Sequence, residues 1–316
     1  MDKSIAILLP YKEKYTLKDA AAASIWVKDY LKISQLNNQT IVFGNLPENK
    51  KPLTKNFINI NLSKVRFKKN YFYTNRFYEN CKKNNFEVIE IHNRPESLVF
   101  LLKKKLKSKF IFVYHNNPQD LRHSKTIKER LFIANNCHQI FFVSKWVMQK
   151  FFEGLPFDYK NNCEILHPAT NELKYFPKKE KIIIFTGKLN TSKGYDIFGR
   201  ATLNILEKFK AWKAYAIGNE RRETHNFDHK NFNVFDWLPH EKILNFYKKS
   251  SISIVCSRWQ EPFGRTAMES AAYGCATITS DRGGLSETFI NNLVLDNLNT
   301  STLEKQIIKI IKNKKL

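Results

Sequence analysis

Apolar residues in this chain fall in short, nearly continuous runs separated by longer polar or mixed stretches. Runs at 5–9, 40–43, 57–60, 86–91, 110–114 and 139–144 have strand length and lack the strict alternation of a half-solvated strand. Such runs read as strands buried on both faces of a parallel sheet. Between them, residues 18–31 with the alanines at 20–23, residues 96–106, and residues 145–152 behind Ser144 as a cap predict helices. Strand alternating with helix predicts an α/β, doubly wound sheet. A stretch rich in charge with Pro168 and Pro177 follows, and a second series opens at 182–186, so the chain divides into domains 1–170 and 182–316 joined by a linker, 171–181. At the end, TLEKQIIKIIKNKKL (302–316) places Leu303, Ile307, Ile308, Ile310 and Ile311 on one stripe, predicting a helix docked on the second domain.

Composition adds limits. With 316 residues and 42% hydrophobic content the chain can build two cores. No stretch approaches the ~20 apolar residues of a spanning helix, and the start, MDKSIAILLPYKEK, lacks a cleavage pattern, so a cytoplasmic protein is expected. Five cysteines without a C-x-x-C pair point to buried thiols rather than a zinc site or a disulfide framework.

The formal charge of +24 is uneven: residues 50–130 hold 20 Lys and Arg against 6 Asp and Glu. Residues 64–86 interleave bases with Phe67, Tyr71, Phe72, Tyr73, Phe77 and Tyr78, and residues 103–109 read KKKLKSK. Bases attract anionic headgroups and aromatics favour the membrane interface, so peripheral contact with an anionic membrane at the inner face, or with an anionic acceptor, is expected. A solvated, lysine-rich surface is the alternative. Nucleic acid is not expected, because no recognition motif accompanies the charge.

The chemistry concentrates in SRWQEPFGRTAMESAAYGCATITSDRGGLSE, residues 257–287. Pro262, Phe263 and Gly264 can lead into the first turn of a helix whose amides would meet phosphate. Glu261 and Glu269 stand seven residues apart, and a carboxylate on that helix can accept bonds from vicinal sugar hydroxyls. Gly283 and Gly284 let backbone approach a ligand closely. Upstream, Gly187-Lys188 and, five residues after Lys188, Lys193 offer two bases among glycines.

Together, FTGKLNTSKGYDIF, WKAYAIGNE, FNVFDWLPHEKILNFYKKSSISIVCS and the EPFG…E motif resemble, in order and spacing over about residues 182–290, the retaining family-4 glycosyltransferases of group 1. The resemblance implies the GT-B architecture, two Rossmann-like domains with parallel sheets facing across a cleft: an N-terminal acceptor-binding domain and a C-terminal nucleotide-sugar-binding one. It implies transfer of a hexose from a UDP- or GDP-linked sugar, with no cofactor and no metal; the sequence contains no Asp-x-Asp pair. Lys188, Lys193 and helix-end amides would meet the diphosphate, with Gly187, Phe263, Gly264, Gly283 and Gly284 around the donor and Arg265 as a third base near the phosphates. Glu261 would bond the transferred sugar and Glu269 the ribose. His115, at the end of an N-domain strand, would lie near the donor sugar; His92 is the second such histidine. At the first of the two diphosphate bases the family generally has Arg where this chain has Lys188, and the usual glycines of the first loop are replaced by Ala and Ser24. Strings such as HNRPE and HNNPQDLR resemble envelope-polysaccharide members, which points to a glycan or glycolipid acceptor such as lipopolysaccharide core. A sugar-nucleotide epimerase or a phosphorylase shares the architecture and stands as the alternative.

Overall fold

The computed structural model of the chain describes residues 4–17, 19–62, 65–155, 162–171, 173, 175, 177–288 and 293–313. Contacts divide it into two compact units, Met1–Ala169 and Thr170–Leu316.

In the first unit β1 (Ile5–Leu8), β2 (Thr40–Gly44), β3 (Phe57–Asn59), β4 (Val88–His92), β5 (Lys109–Tyr114), β6 (Gln139–Phe142) and β7 (Cys163–Ile165) form a sheet in the order β3-β2-β1-β4-β5-β6-β7. All of its pairings are parallel. Such a sheet is covered on both faces, and Ala6, Ile7 and Leu8 of its centre are buried accordingly. The helices are α1 (Ala22–Ile33), α2 (Lys69–Asn84), α3 (Pro95–Leu102), α4 (Ile127–Asn136) and α5 (Lys145–Phe152). The second unit pairs β8 (Glu180–Thr186), β9 (Lys213–Ile217), β10 (Phe232–Phe235), β11 (Ser250–Val255), β12 (Ala276–Ser280) and β13 (Leu293–Leu295) in the order β10-β9-β8-β11-β12-β13. Its helices are α6 (Tyr195–Lys208), α7 (His240–Lys249), α8 (Arg265–Ala272) and α9 (Thr300–Lys312). Each unit is Rossmann-like, and in each the strand order reverses beside the first strand, between β1 and β4 and between β8 and β11. In open α/β sheets ligands bind beyond the carboxyl ends of strands at such a switch point.

Several elements differ from the sequence expectation. The first helix starts at Ala22 rather than at 18, and Lys18 lies outside the described residues. No residue at its start caps it; instead the Glu13 carboxylate reaches across to accept from the Ser24 amide at 2.9 Å and the Ser24 hydroxyl at 2.8 Å. A tertiary cap leaves no local signal. The basic, aromatic segment, whose Lys64 is not described, is mostly the helix α2. It presents Tyr73, Phe77 and Cys81 to the core at helical spacing and leaves Phe67, Tyr71 and Phe72 exposed. Two of the six aromatics read as interfacial, Tyr73 and Phe77, are therefore core residues, and Tyr78 is half-buried. The linker is shorter than 171–181, because β8 begins at Glu180; Glu172, Lys174 and Phe176 of it lie outside the described residues. α9 docks on the second unit as expected: Leu303, Ile307 and Ile310 share a cluster with Ala201 and Ile205 of α6. Lys314–Leu316 are not described. Among the described residues no helix is long and apolar enough to cross a membrane. All five cysteines are buried.

Candidate active site

In the second unit the motif residues leave the two strands that flank the switch point. β8 ends at Thr186 and runs into Gly187 and Lys188; β11 ends at Val255 and runs into the segment carrying Glu261. Gly187 has φ of +145°, and a Cβ there would meet no atom within 4 Å, so its exposed face is open to a ligand. The next strand, β9, ends at Ile217 and runs into Gly218, where a Cβ would lie 1.7 Å from the Gly187 carbonyl oxygen. Only glycine lets the two loops cross there.

The loop from Lys188 to Gly194 is fixed from several sides. The Asn190 side chain, buried, accepts from the Lys193 amide at 3.0 Å and donates to Glu220 at 3.1 Å. The Ser192 carbonyl accepts from the Arg258 amide at 2.9 Å, the Trp259 amide at 3.1 Å and the Ser257 hydroxyl at 3.3 Å. Arg258 also forms a bidentate pair with Asp196 at 2.6 and 2.9 Å. Burial would raise the Asp196 carboxyl, but the Arg258 guanidinium holds it below the usual range. These bonds lock the Lys193 loop to the start of the glutamate motif. Lys193 then forms an ion pair with Glu261 and lies 4.4 Å over the Trp259 ring. The base expected at the diphosphate and the carboxylate expected at the sugar are thus adjacent, whereas Lys188 is exposed.

Pro262, Phe263 and Gly264 lead into α8 as the sequence predicts, with Gly264 at φ of +112° as its N-cap and Phe263 buried. On α8, Glu269 is 4% exposed. Its Oε1 accepts from His240 Nε2 at 2.9 Å and from Arg265 Nη2 at 2.7 Å and Nε at 3.1 Å; Oε2 takes none of these bonds. Burial alone would raise this carboxyl. The bond from His240 and the positive charge of Arg265 outweigh burial and hold it below the usual glutamate value, so it is ionised at neutral pH. A carboxylate with one oxygen clamped and the other without a hydrogen bond among the described residues is a rigid hydrogen-bond acceptor. Gly283 closes the site from β12: its backbone bridges Glu261, the Gly284 amide donates to the Glu261 carbonyl at 2.7 Å, and a Cβ on Gly283 would lie 2.1 Å from that oxygen.

His115 belongs to the first unit. Its Nε2 lies 2.8 Å from His92 Nδ1, whose Nε2 lies 2.7 Å from Glu90 Oε1, and Trp26 packs on both rings. His92 is fully buried, so of the two histidines it is a support and not a surface group. Sequence reasoning missed Glu90, His92 as support, Asn190, Arg258 and His240. Only Arg258 carried a usable signal, next to the motif.

The family described as glycosyl transferases group 1 matches residues 171–316. That match falls on the second unit. Among curated proteins the chain is similar to the putative glycosyltransferase YtcC of Bacillus subtilis (strain 168), 22% identical over 256 residues covering 70% of this chain and 62% of that one. It is also similar to the spore coat protein SA of the same organism, 25% identical over 237 residues, 64% of this chain and 62% of the relative. The chain spans about three fifths of the length of these relatives. In fold, the chain resembles the sucrose-phosphate synthase of Thermosynechococcus elongatus, with a TM-score of 0.75 at 16% identity over 98% of this chain and 90% of that one. It also resembles Anabaena Alr3699/HepE in complex with UDP and glucose, with a TM-score of 0.75 at 11% identity over 99% and 91%. The fold is therefore GT-B in type, with two Rossmann-like domains built on parallel sheets.

Proposed function

We propose that the chain is a retaining, metal-independent hexosyltransferase that uses a UDP- or GDP-linked sugar and an envelope glycan or lipid-linked acceptor, lipopolysaccharide core or similar. The observation that carries the donor reading is Glu269. Its Oε1 is clamped by His240 and Arg265, and its Oε2 is left to accept from a diol such as that of a ribose. Beside it, Glu261 and Lys193 supply a carboxylate for hydroxyls of the transferred sugar and a cation for the diphosphate. Lys188 adds a second charge, and the open face of Gly187 admits the donor close to backbone.

In this reading, charge building on the departing diphosphate is met by Lys188, Lys193 and the amides at the start of α8, which are in place before the bond breaks. Donor arrival would exchange the Lys193–Glu261 pair for Lys193–phosphate and Glu261–hydroxyl contacts, so neither charge is left unpaired. His115, oriented by His92 and Glu90, would meet the sugar, and the leaving phosphate oxygen would take the acceptor proton. Solved neighbours named as complexes with UDP and glucose, or with UDP-2-fluoro glucose, support a uridine donor. The relatives named glycosyltransferase or synthase support transfer over the epimerase alternative.

The test is a thermal-shift panel of UDP, GDP, ADP and their sugar conjugates on the wild type and Glu269→Ala. A ligand at a hundred times its dissociation constant adds about 2.7 kcal/mol. One nucleotide should stabilise the wild type and not the variant; silence across the panel would refute the donor site.

A further inference from the structure

The first unit holds a second site. A cavity of about 620 Å³ opens beyond the carboxyl ends of β1, β4 and β5, between the start of α2, the end of α3 and the loop at 122–123. Four bases from these three places line it, Lys68, Lys69, Lys103 and Arg122, with His123 beside them and Glu96 as the opposing carboxylate. Among the described residues none of the four bases is held in an ion pair. Their neighbours outside the cavity are engaged: Lys82 pairs with Glu79 at 2.6 Å and lies over Tyr78, and Lys104 lies over Tyr78 and Phe100. Lys82 and Lys104 thus have partners outside the cavity, whereas the four cavity bases have no ion pair among the described residues. Tyr11, Tyr71 and Phe100 supply aromatic surface, and Asn70 adds a polar group. The volume lies within the ~300–1,000 Å³ of small-molecule sites. Four bases against one acid suit a dianion, and the guanidinium of Arg122 matches two oxygens of a phosphate. Aromatic faces beside a carboxylate and an amide suit a sugar ring with hydroxyls.

We infer that this cavity binds a phosphate-bearing sugar, the anionic part of the acceptor, whether on a soluble sugar phosphate or on a phosphoglycolipid headgroup. The inference rests on the glycosyltransferase reading only for the word acceptor; the binding itself does not depend on it.

The test uses the full chain and titration calorimetry. The probes are glucose 6-phosphate, glucose, and vesicles of phosphatidylcholine with and without phosphatidylinositol. The variants are Lys69→Glu/Lys103→Glu in the cavity and Lys82→Glu/Lys104→Glu on the same two elements outside it, which change net charge equally. Glucose 6-phosphate or the inositide vesicles should bind the wild type, and the cavity pair should lose about ten-fold or more while the outer pair stays within about two-fold. Binding by vesicles alone, lost in the cavity pair, identifies the headgroup as the source; binding by the soluble phosphate identifies the free sugar. Equal losses in both pairs, equal binding of glucose, or no binding by any phosphate probe overturns the inference. A UDP thermal shift on the same samples reports the donor site separately, so failure of one reading leaves the other standing.

Discussion

Replacing Glu269 by Gln keeps the shape of the side chain and removes its charge. The consequence follows from what surrounds it. Glu269 is 4% exposed, Arg265 has a side chain 13% exposed, and all three donors to Glu269 point at one oxygen. Removing one partner of a buried pair leaves the other uncompensated, which costs about 3–5 kcal/mol. The glutamine oxygen still accepts one or two of the bonds, so a value near ~3 kcal/mol is expected. A domain of about 150 residues loses about 2–4 °C of Tm per kcal/mol, so the second unit should melt roughly 6–12 °C lower at pH 7.

The pH dependence gives the sharper check. Burial would raise the Glu269 carboxyl, but the His240 bond and the Arg265 charge bring it below its usual value on folding. A carboxyl lowered on folding contributes stability that is fully present above the unfolded value of about 4.3 and is lost as pH falls through the folded one. The gap between wild type and Glu269→Gln should therefore be constant from pH 7 to about 5 and shrink below about 4.3. Calorimetric melts across pH 3–8, without ligand, measure it. A gap that stays the same at pH 3 and pH 7, or no gap at pH 7, would refute the clamp.

Gly283→Ala places a Cβ 2.1 Å from the Glu261 carbonyl oxygen at a φ of +64°, so the bridge to Glu261 must open. A loss of about 1–3 kcal/mol in the denaturant midpoint and weaker UDP stabilisation are expected. His92→Phe removes the link between Glu90 and His115; leaving the buried Glu90 carboxylate without its partner should cost about 1–3 kcal/mol or more, read by urea unfolding, and should lower kcat more than it raises KM. Glu13→Gln should behave opposite to Glu269→Gln. Burial raises the Glu13 carboxyl above its usual value, outweighing its bonds to Ser24, so its ionised form weakens the fold as pH rises through the folded value. The variant should lose less than about 1 kcal/mol at pH 7, and its difference from wild type should shift in favour of the wild type as pH falls.

The strands were legible because a parallel sheet buried on both faces needs continuous apolar runs, as in IAIL of β1 and the IIIF of β8. The glutamate motif was legible because its chemistry sits within one loop and helix. Contacts made across the fold were not. His240 reaches Glu269 from 29 residues away, and Glu13 caps α1 from 11 residues before Ser24. α2 was obscured because its core stripe of Tyr73, Phe77 and Cys81 is flanked by bases and by aromatics that face solvent, so aromatic content gave no measure of burial. Arg265 shows the limit of reasoning by residue type. Expected as a base for phosphate, it lies four residues before Glu269 and pairs with it, a spacing that neighbours on a helix always allow.

The two helix starts that follow the first strands of the units differ in where an outside anion could be received. At α1 the chain has filled the amide end with its own carboxylate: Glu13 takes the Ser24 amide and hydroxyl, the place at which a helix otherwise attracts an outside anion. In the second unit the loop after β8 is spanned by glycines, Gly187 at φ of +145° and Gly194 at +78°, with Lys193 between them held against Glu261. A Cβ on Gly194 would lie 1.9 Å from the Cys256 carbonyl oxygen, so the loop can come this close to the glutamate segment only with glycine at that position. One unit thus fills its helix end internally, and the other keeps the Gly187 backbone and Lys188 open beside two buried carboxylates, with Lys193 paired to Glu261. The proposed diphosphate load falls on Lys188 and Lys193, and a Lys193→Ala chain should lose UDP stabilisation even though Glu13 and the whole first unit are unchanged.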